Sequence, residues 1–387
     1  MLCPINHGFT EKLLTEIKEY VPKFGMTVEN GSQFIHRTFA EYFAAQRLVE
    51  IILHHNEKPV KFFEFVLKRV LIDEGFKVVR SFINASPEIQ ELQVNEPLTG
   101  TQRHRQASAT TYLLLNKSLR CIASEGHVDL MRWIIRNYCN DKTDAQKLFK
   151  RNKYGKTPVT FAAESGEVEV VKTFFNCDKF TTAQLLKPNY SKETPVFVAA
   201  QKNRVKVVKT YVNCDRFTTE QLLAPDQDGE TPVHSAASMG NVEVVNTFFN
   251  CDKFTTEQLL EPNKRGETLV HIAARNGEVE VLKAFVNCDK FTPEQLLVPD
   301  KNGLTPVHSA VFMGRVEVVK TFVNCGKFNP AELLVPDKNG NTKSIWRNTC
   351  LCCSTGGRSG SSEYFCQLRQ IHSETTTHTR PCWRYTC

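Results

Sequence analysis

The sequence contains no run of about 18 apolar residues, so nothing in it reads as a membrane-spanning helix. It does not open on a charged stretch followed by an apolar run, so no signal peptide is expected. It has no Gly-x-x-x-x-Gly-Lys-Ser/Thr loop, no Gly-x-Ser-x-Gly, no His-Glu-x-x-His and no dinucleotide fingerprint. Without them there is no cradle for a nucleotide phosphate and no recognisable hydrolase or dehydrogenase centre. The expectation is no catalytic residue and no cofactor. A charge of one sign is also missing from the middle of the chain. Residues 152–336 hold 21 Lys and Arg against 22 Asp and Glu, so the formal +7 of the whole lies in the flanks. A near-neutral centre disfavours a nucleic-acid stripe.

What the chain does have is a period. Cys177, Cys214, Cys251, Cys288 and Cys325 stand 37 positions apart, and Pro188, Pro225, Pro262, Pro299 and Pro336 keep the same interval. A period of this length implies one supersecondary unit, stacked because it cannot bury its own apolar face alone.

Residues 226–262 show what a unit builds. Asp226-Gln227-Asp228-Gly229 is a turn, with Asp bonding its own backbone and Gly supplying positive φ. Thr231 is placed as N-cap and Pro232 at the first helical position, where its missing N–H costs nothing. Val233, Ala236 and Ala237 form a short apolar stripe, and Gly240 ends the helix in the left-handed region. Val242, Val244, Val245, Phe248 and Phe249 make a second amphipathic helix. Thr255 and Gln258 have capping-box spacing, so a third helical turn follows.

These residues resemble the ankyrin repeat. Its hallmark reads Thr231-Pro232-Val233-His234 and Thr305-Pro306-Val307-His308, with Thr268-Leu269-Val270-His271 close to it. The resemblance covers 152–336 and implies an all-α solenoid of helix pairs, finger turns and an extra short turn per repeat. Thr157-Pro158-Val159-Thr160 and Thr194-Pro195-Val196-Phe197 lack the histidine. In the second of these, Lys192 and Asn203 replace the two glycines; Asn tolerates the left-handed bend, whereas Lys192 is expected to change its turn. The histidines are read as structural caps and not as ligands.

Equivalent points on stacked repeats lie roughly 10 Å apart, and a disulfide needs Cα atoms within about 7 Å. The ladder cysteines are therefore expected as small buried hydrophobes, unbridged, in a reducing cytoplasm or nucleus.

The flanks read differently. Residues 1–85 are expected as a separate, mainly helical domain, with helices near 9–20, 38–53, 59–72 and 74–83 and a hairpin at 26–36 turned by Asn30-Gly31. The run Phe34-Ile35-His36-Arg37-Thr38-Phe39-Ala40-Glu41-Tyr42-Phe43-Ala44-Ala45 resembles the end of the winged-helix part of NACHT-family signalling NTPases, the group containing NOD-like receptors. The resemblance implies a nucleotide-phosphate contact for His36 only if a nucleotide domain lies upstream. Residues 86–110 read as a linker and 111–151 as a degenerate capping repeat. In that repeat three residues are inserted between the second helix and the third turn, and Trp133 is expected to shield the end. Residues 337–387 open a new unit and then break off; disorder and an altered or premature terminus are expected. Cys350, Cys352, Cys353, Cys366, His372, His378, Cys382 and Cys387 are zinc-ligand types, but they match no paired Cys-x-x-Cys spacing, and no metal site is expected.

With no chemistry in view, the function expected is recognition of another protein by a monomeric scaffold, through finger tips and first helices. The repeats vary there and barely vary on their second helices. The candidate contacts are Tyr154, Phe161, Gln227, Ser235, Met239, Arg265, Ile272, Arg275, Leu304, Phe312 and Met313. Phe312 and Met313 could equally pack against the truncated unit after Pro336. The alternative function is a C-terminal part of a NACHT–ankyrin signalling NTPase whose nucleotide domain lies upstream or is lost.

Overall fold

The computed structural model describes residues 109–328, the helix Lys77–Ala85, and residues 45, 46, 49, 72 and 333. His36, the 26–36 hairpin, the helices expected before residue 73 and the Cys/His-bearing tail otherwise lie outside the described residues. The chain divides into two compact units, Met1–Lys187 and Pro188–Cys387. Every described element is helical, and none of these helices is long and apolar enough to cross a membrane.

The first unit holds α1 (Lys77–Ala85), the long α2 (Ala109–Glu125), α3 (Val128–Tyr138), α4 (Lys142–Leu148), α5 (Pro158–Ser165), α6 (Val168–Phe175) and the short α7 (Thr182–Leu185). Helix α2 starts inside the stretch expected as linker and packs on α5. The three-residue insertion lengthens a helix: α3 has 11 residues where its counterpart α6 has 8. Trp133 is buried on α3, edge-on to Tyr138. Helix α1 is no detached element. Asn84 Oδ1 accepts the first free N–H groups of α3, from Asp129 at 3.0 Å and Leu130 at 3.1 Å, and so supplies a cap that His127 does not. Buried Arg80 donates to Glu125 from Nε at 2.7 Å, and His127 lies 3.0 Å from the same carboxylate. Burial pushes Glu125 upward, but the bonds from His127 and Arg80 outweigh it and hold the carboxyl at about 2.

The second unit is a stack of repeats. First helices α8 (Pro195–Gln201), α11 (Pro232–Ser238), α14 (Leu269–Asn276) and α17 (Pro306–Phe312) pack in one row. Second helices α9 (Val205–Val212), α12 (Val242–Phe249), α15 (Val279–Val286) and α18 (Val316–Asn324) pack in another. Short helices α10 (Thr219–Leu222), α13 (Thr256–Leu259) and α16 (Pro293–Leu296) are the third turns. Each opens with a reciprocal Thr–Gln capping box, Thr255 with Gln258 among them. Aromatic rings fasten each of three second helices to the turn that follows it. Tyr211 meets Phe217, Phe248 meets Phe254 and Phe285 meets Phe291, with ring centroids 5.4–5.9 Å apart.

Two expectations are corrected here. The ladder cysteines are unbridged but half-buried, because they sit where the second helix ends and not inside it. Lys192 does not alter its finger. It adopts φ +64°, close to the +80° to +82° of Gly229, Gly266 and Gly303 in register with it. Asn189 Oδ1 still accepts from Ser191 and Glu193, at 3.0 and 2.9 Å, and holds the loop in place of the glycine's conformational freedom.

Candidate protein-binding face

In the second unit each finger begins on an Asn or Asp whose side chain folds back on its own loop. Asp226 Oδ1 accepts from the N–H groups of Asp228 and Glu230, both at 2.9 Å, and Asn263 and Asp300 do the same in their loops. Neighbouring fingers are then joined by backbone bonds: Gln227 N–H to Ser191 at 3.1 Å, Lys264 N–H to Asp228 at 3.2 Å, Lys301 N–H to Arg265 at 3.4 Å. The tips form a strip with fixed spacing.

Behind the strip, histidines lock the first helices α11, α14 and α17. His271 Nδ1 accepts from Thr268 N–H at 3.1 Å, so its proton sits on Nε2, which donates to the Leu304 carbonyl of the next finger at 2.9 Å. His234 and His308 make the same Nδ1 contacts with Thr231 and Thr305. Burial pulls His234 down to about 4, outweighing the opposing influence of the Glu267 backbone, and burial likewise lowers His271. These rings are neutral structural caps.

The far ends of the first helices are stitched as well. Asn241 Nδ2 donates to the Ala200 carbonyl at 2.8 Å, Asn276 Nδ2 to that of Ser238 at 2.9 Å, and Arg315 Nε to that of Arg275 at 3.0 Å. Each reaches a last-turn carbonyl of the neighbouring first helix, and that of Ala200 also accepts from Asn203 N–H at 3.3 Å.

The expected contact residues separate on this frame. Gln227, Met239, Arg265, Phe312 and Met313 are exposed, Phe312 at 68 %. Leu304 is half-buried. Arg275 is half-buried and committed, with Nη1 on Glu267 Oε1 at 2.6 Å. Ile272 and Ser235 drop out: both are buried, on the side of the first helix that meets its neighbours, so they serve packing and not a partner. In the first unit Tyr154 is exposed beneath the Lys153 ammonium, and Phe161 is half-buried near that of Lys156.

Sequence reading left Tyr190 and Lys202 out of the candidate contacts, although position 202 is one of the variable first-helix ends; both are exposed. For Tyr190 the signal was present, since positions 190, 227 and 264 read Tyr, Gln and Lys, with Lys again at 301. It also passed over a cross-repeat lysine ladder. Lys253 Nζ reaches the Val212 carbonyl and Asp215 Oδ1 at 2.8 Å, Lys290 Nζ the Phe249 carbonyl and Asp252 Oδ1 at 3.1 Å. A cation at the C-terminal end of a neighbouring helix complements its dipole.

Residues 176–258 and 251–332 match the family model described as ankyrin repeats (3 copies). No curated protein matches the sequence. The repeats are ankyrin repeats, and the fold they build is an all-α ankyrin solenoid.

Proposed function

We propose that the chain is a non-catalytic scaffold that holds another protein on its finger tips and first-helix ends. One observation carries this reading. Phe312 is 68 % exposed beside Met313, on the same face as exposed Met239, where the repeats diverge in sequence. Exposed aromatic and methionine side chains on a rigid frame suit a recognition surface. Ankyrin repeats are interaction modules, which supports the same conclusion. Half-buried unbridged thiols along the stack fit a reducing compartment. The test is affinity capture with the full chain, compared with Phe312→Ala. Loss of about 2 kcal/mol or more of binding with an unchanged melting curve is the expected result. A partner retained at equal affinity removes this patch.

The 34–45 run supports a second reading, in which these repeats belong to a NACHT-type signalling NTPase. Its marker is a longer transcript encoding a P-loop upstream, together with nucleotide binding sensitive to His36→Ala. Without either, that reading falls.

A further inference from the structure

Exposed charge is spread unevenly over the near-neutral stack. The finger loops 189–193, 226–230, 263–267 and 300–304 expose Lys192, Lys264, Arg265 and Lys301 against one exposed carboxylate, Asp228, while Glu193, Asp226 and Glu230 are half-buried. The first-helix ends behind them, 201–204, 238–241, 275–278 and 312–315, expose Lys202, Arg204 and Arg315 and no carboxylate. Glu267, the anion that would offset Arg275, is buried in its pair with that residue. The third-turn edge carries an excess of exposed carboxylate, although Lys253 and Lys290 are exposed there too and pair with Asp215 and Asp252. Asp215, Asp252 and Asp289 are almost fully exposed there, at 95 %, 96 % and 102 %. Glu220, Glu257 and Glu294 are exposed on the same edge at the starts of α10, α13 and α16, where backbone N–H groups hold their carboxyls below the usual range. Within the cationic face lie the large apolar groups Met239, Phe312 and Met313.

We infer that this face takes an acidic protein segment in which Asp and Glu alternate with large apolar side chains. The inference rests on the proposed recognition role of the face and specifies its ligand. Charge complementarity sets both the encounter and the register of such a complex, while methionine and phenylalanine receive apolar side chains rather than sugars or phosphates.

The test is selection of a random-sequence peptide library on the full chain, followed by affinity measurement on the most enriched peptide. The expected pool is rich in Asp and Glu together with aromatic and large aliphatic residues. Its best member is expected to bind at least about tenfold more weakly, roughly 1.4 kcal/mol, to a Lys202→Glu/Arg265→Glu variant, and more weakly as salt rises. A Glu257→Lys/Glu294→Lys variant on the opposite edge is expected to bind as the parent does. A neutral or basic pool, or equal weakening by the edge variant, overturns the inference. If such a pool still depends on Phe312, the recognition face survives and only its acidic specificity falls. Dependence on neither Phe312 nor the cations removes both. A single-stranded oligonucleotide that displaces the peptide and is lost in the Lys202→Glu/Arg265→Glu variant would assign the face to a polynucleotide instead.

Discussion

Arg275 Nη1 donates to Glu267 Oε1 at 2.6 Å, joining the last turn of a first helix to the base of its own finger. Three repeats earlier the same two positions hold Glu164 and Lys156, again at 2.6 Å, with the charges exchanged. In the α17 repeat the positions carry Phe312 and Leu304. The α8 and α11 repeats hold Glu193 with Gln201 and Glu230 with Ser238 there, so the frame accepts either polarity of charge, an apolar couple or no ion pair at this point.

It follows that Glu267→Lys or Arg275→Glu alone should lower stability by about 1–2 kcal/mol, between a surface pair and a buried one. The double variant should recover most of that loss by restoring the arrangement seen at Lys156 and Glu164. A double-mutant cycle by urea denaturation measures the coupling; no recovery would show that Glu267 is held chiefly by Asn263, which also contacts it at 3.2 Å.

Acid should loosen the stack through its histidines. His234 is held at about 4 by burial, against 6.5 when unhindered. The folded state keeps the neutral ring, so the unfolded chain takes up the proton first as pH falls. The stability contributed is complete above about pH 6.5 and is lost between there and about pH 4, by roughly 3 kcal/mol in all. The groups facing this ring are the Glu267 backbone and His271, which opposes its protonation. His234→Gln keeps an acceptor for Thr231 N–H, as Gln258 does for Thr255, yet cannot be protonated. Denaturation at about pH 7 and about pH 5 should show a smaller acid loss in the variant, by roughly 2 kcal/mol.

The helices were legible because every signal for them is local. Thr231 and Pro232 open a helix, Gly240 closes it, and Thr255 with Gln258 opens the next turn, all within a few residues. Exposure was less legible. Ile272 and Ser235 vary between repeats just as Met239 and Phe312 do, but their first-helix positions point into the neighbouring helix, and sequence variation does not say which way a residue faces. The lysine ladder escaped for a related reason. Lys253 and Asp215 pair across 38 residues, a distance set by stacking and by nothing within a unit. Cys251 was misjudged by one step of the chain: Phe248 and Phe249 end the buried stripe, and the backbone turns outward before the thiol.

Phe248 is the position where the stacked core should fail most cleanly. It has no exposure, and its ring lies 5.4 Å from that of Phe254. Phe248→Ala should cost about 3–5 kcal/mol. Because repeats touch only their neighbours, the loss should divide melting into more than one step. Calorimetry reads this directly; one sharp transition at the parent temperature would contradict it.

The fingers offer the reverse experiment, a gain of stability. Lys192 pays the left-handed penalty at φ +64° that glycine escapes in the other loops. Lys192→Gly removes that strain but gives the unfolded chain more freedom, so the net gain should be modest, about 0.5–1 kcal/mol. The opposite change at Gly229 cannot be balanced in the same way. A Cβ there would lie 2.8 Å from the Lys264 backbone nitrogen, which is itself bonded to the Asp228 carbonyl. The side chain would have to push the next finger aside. Gly229→Ala should therefore cost about 1–3 kcal/mol and, by breaking the strip between fingers, weaken partner binding as well. Melting of the two variants should move in opposite directions, and affinity should fall further for Gly229→Ala than for Lys192→Gly, which removes one surface cation from the face and leaves the strip intact. Equal effects of the two would mean that the fingers move independently and that the strip does not hold their spacing.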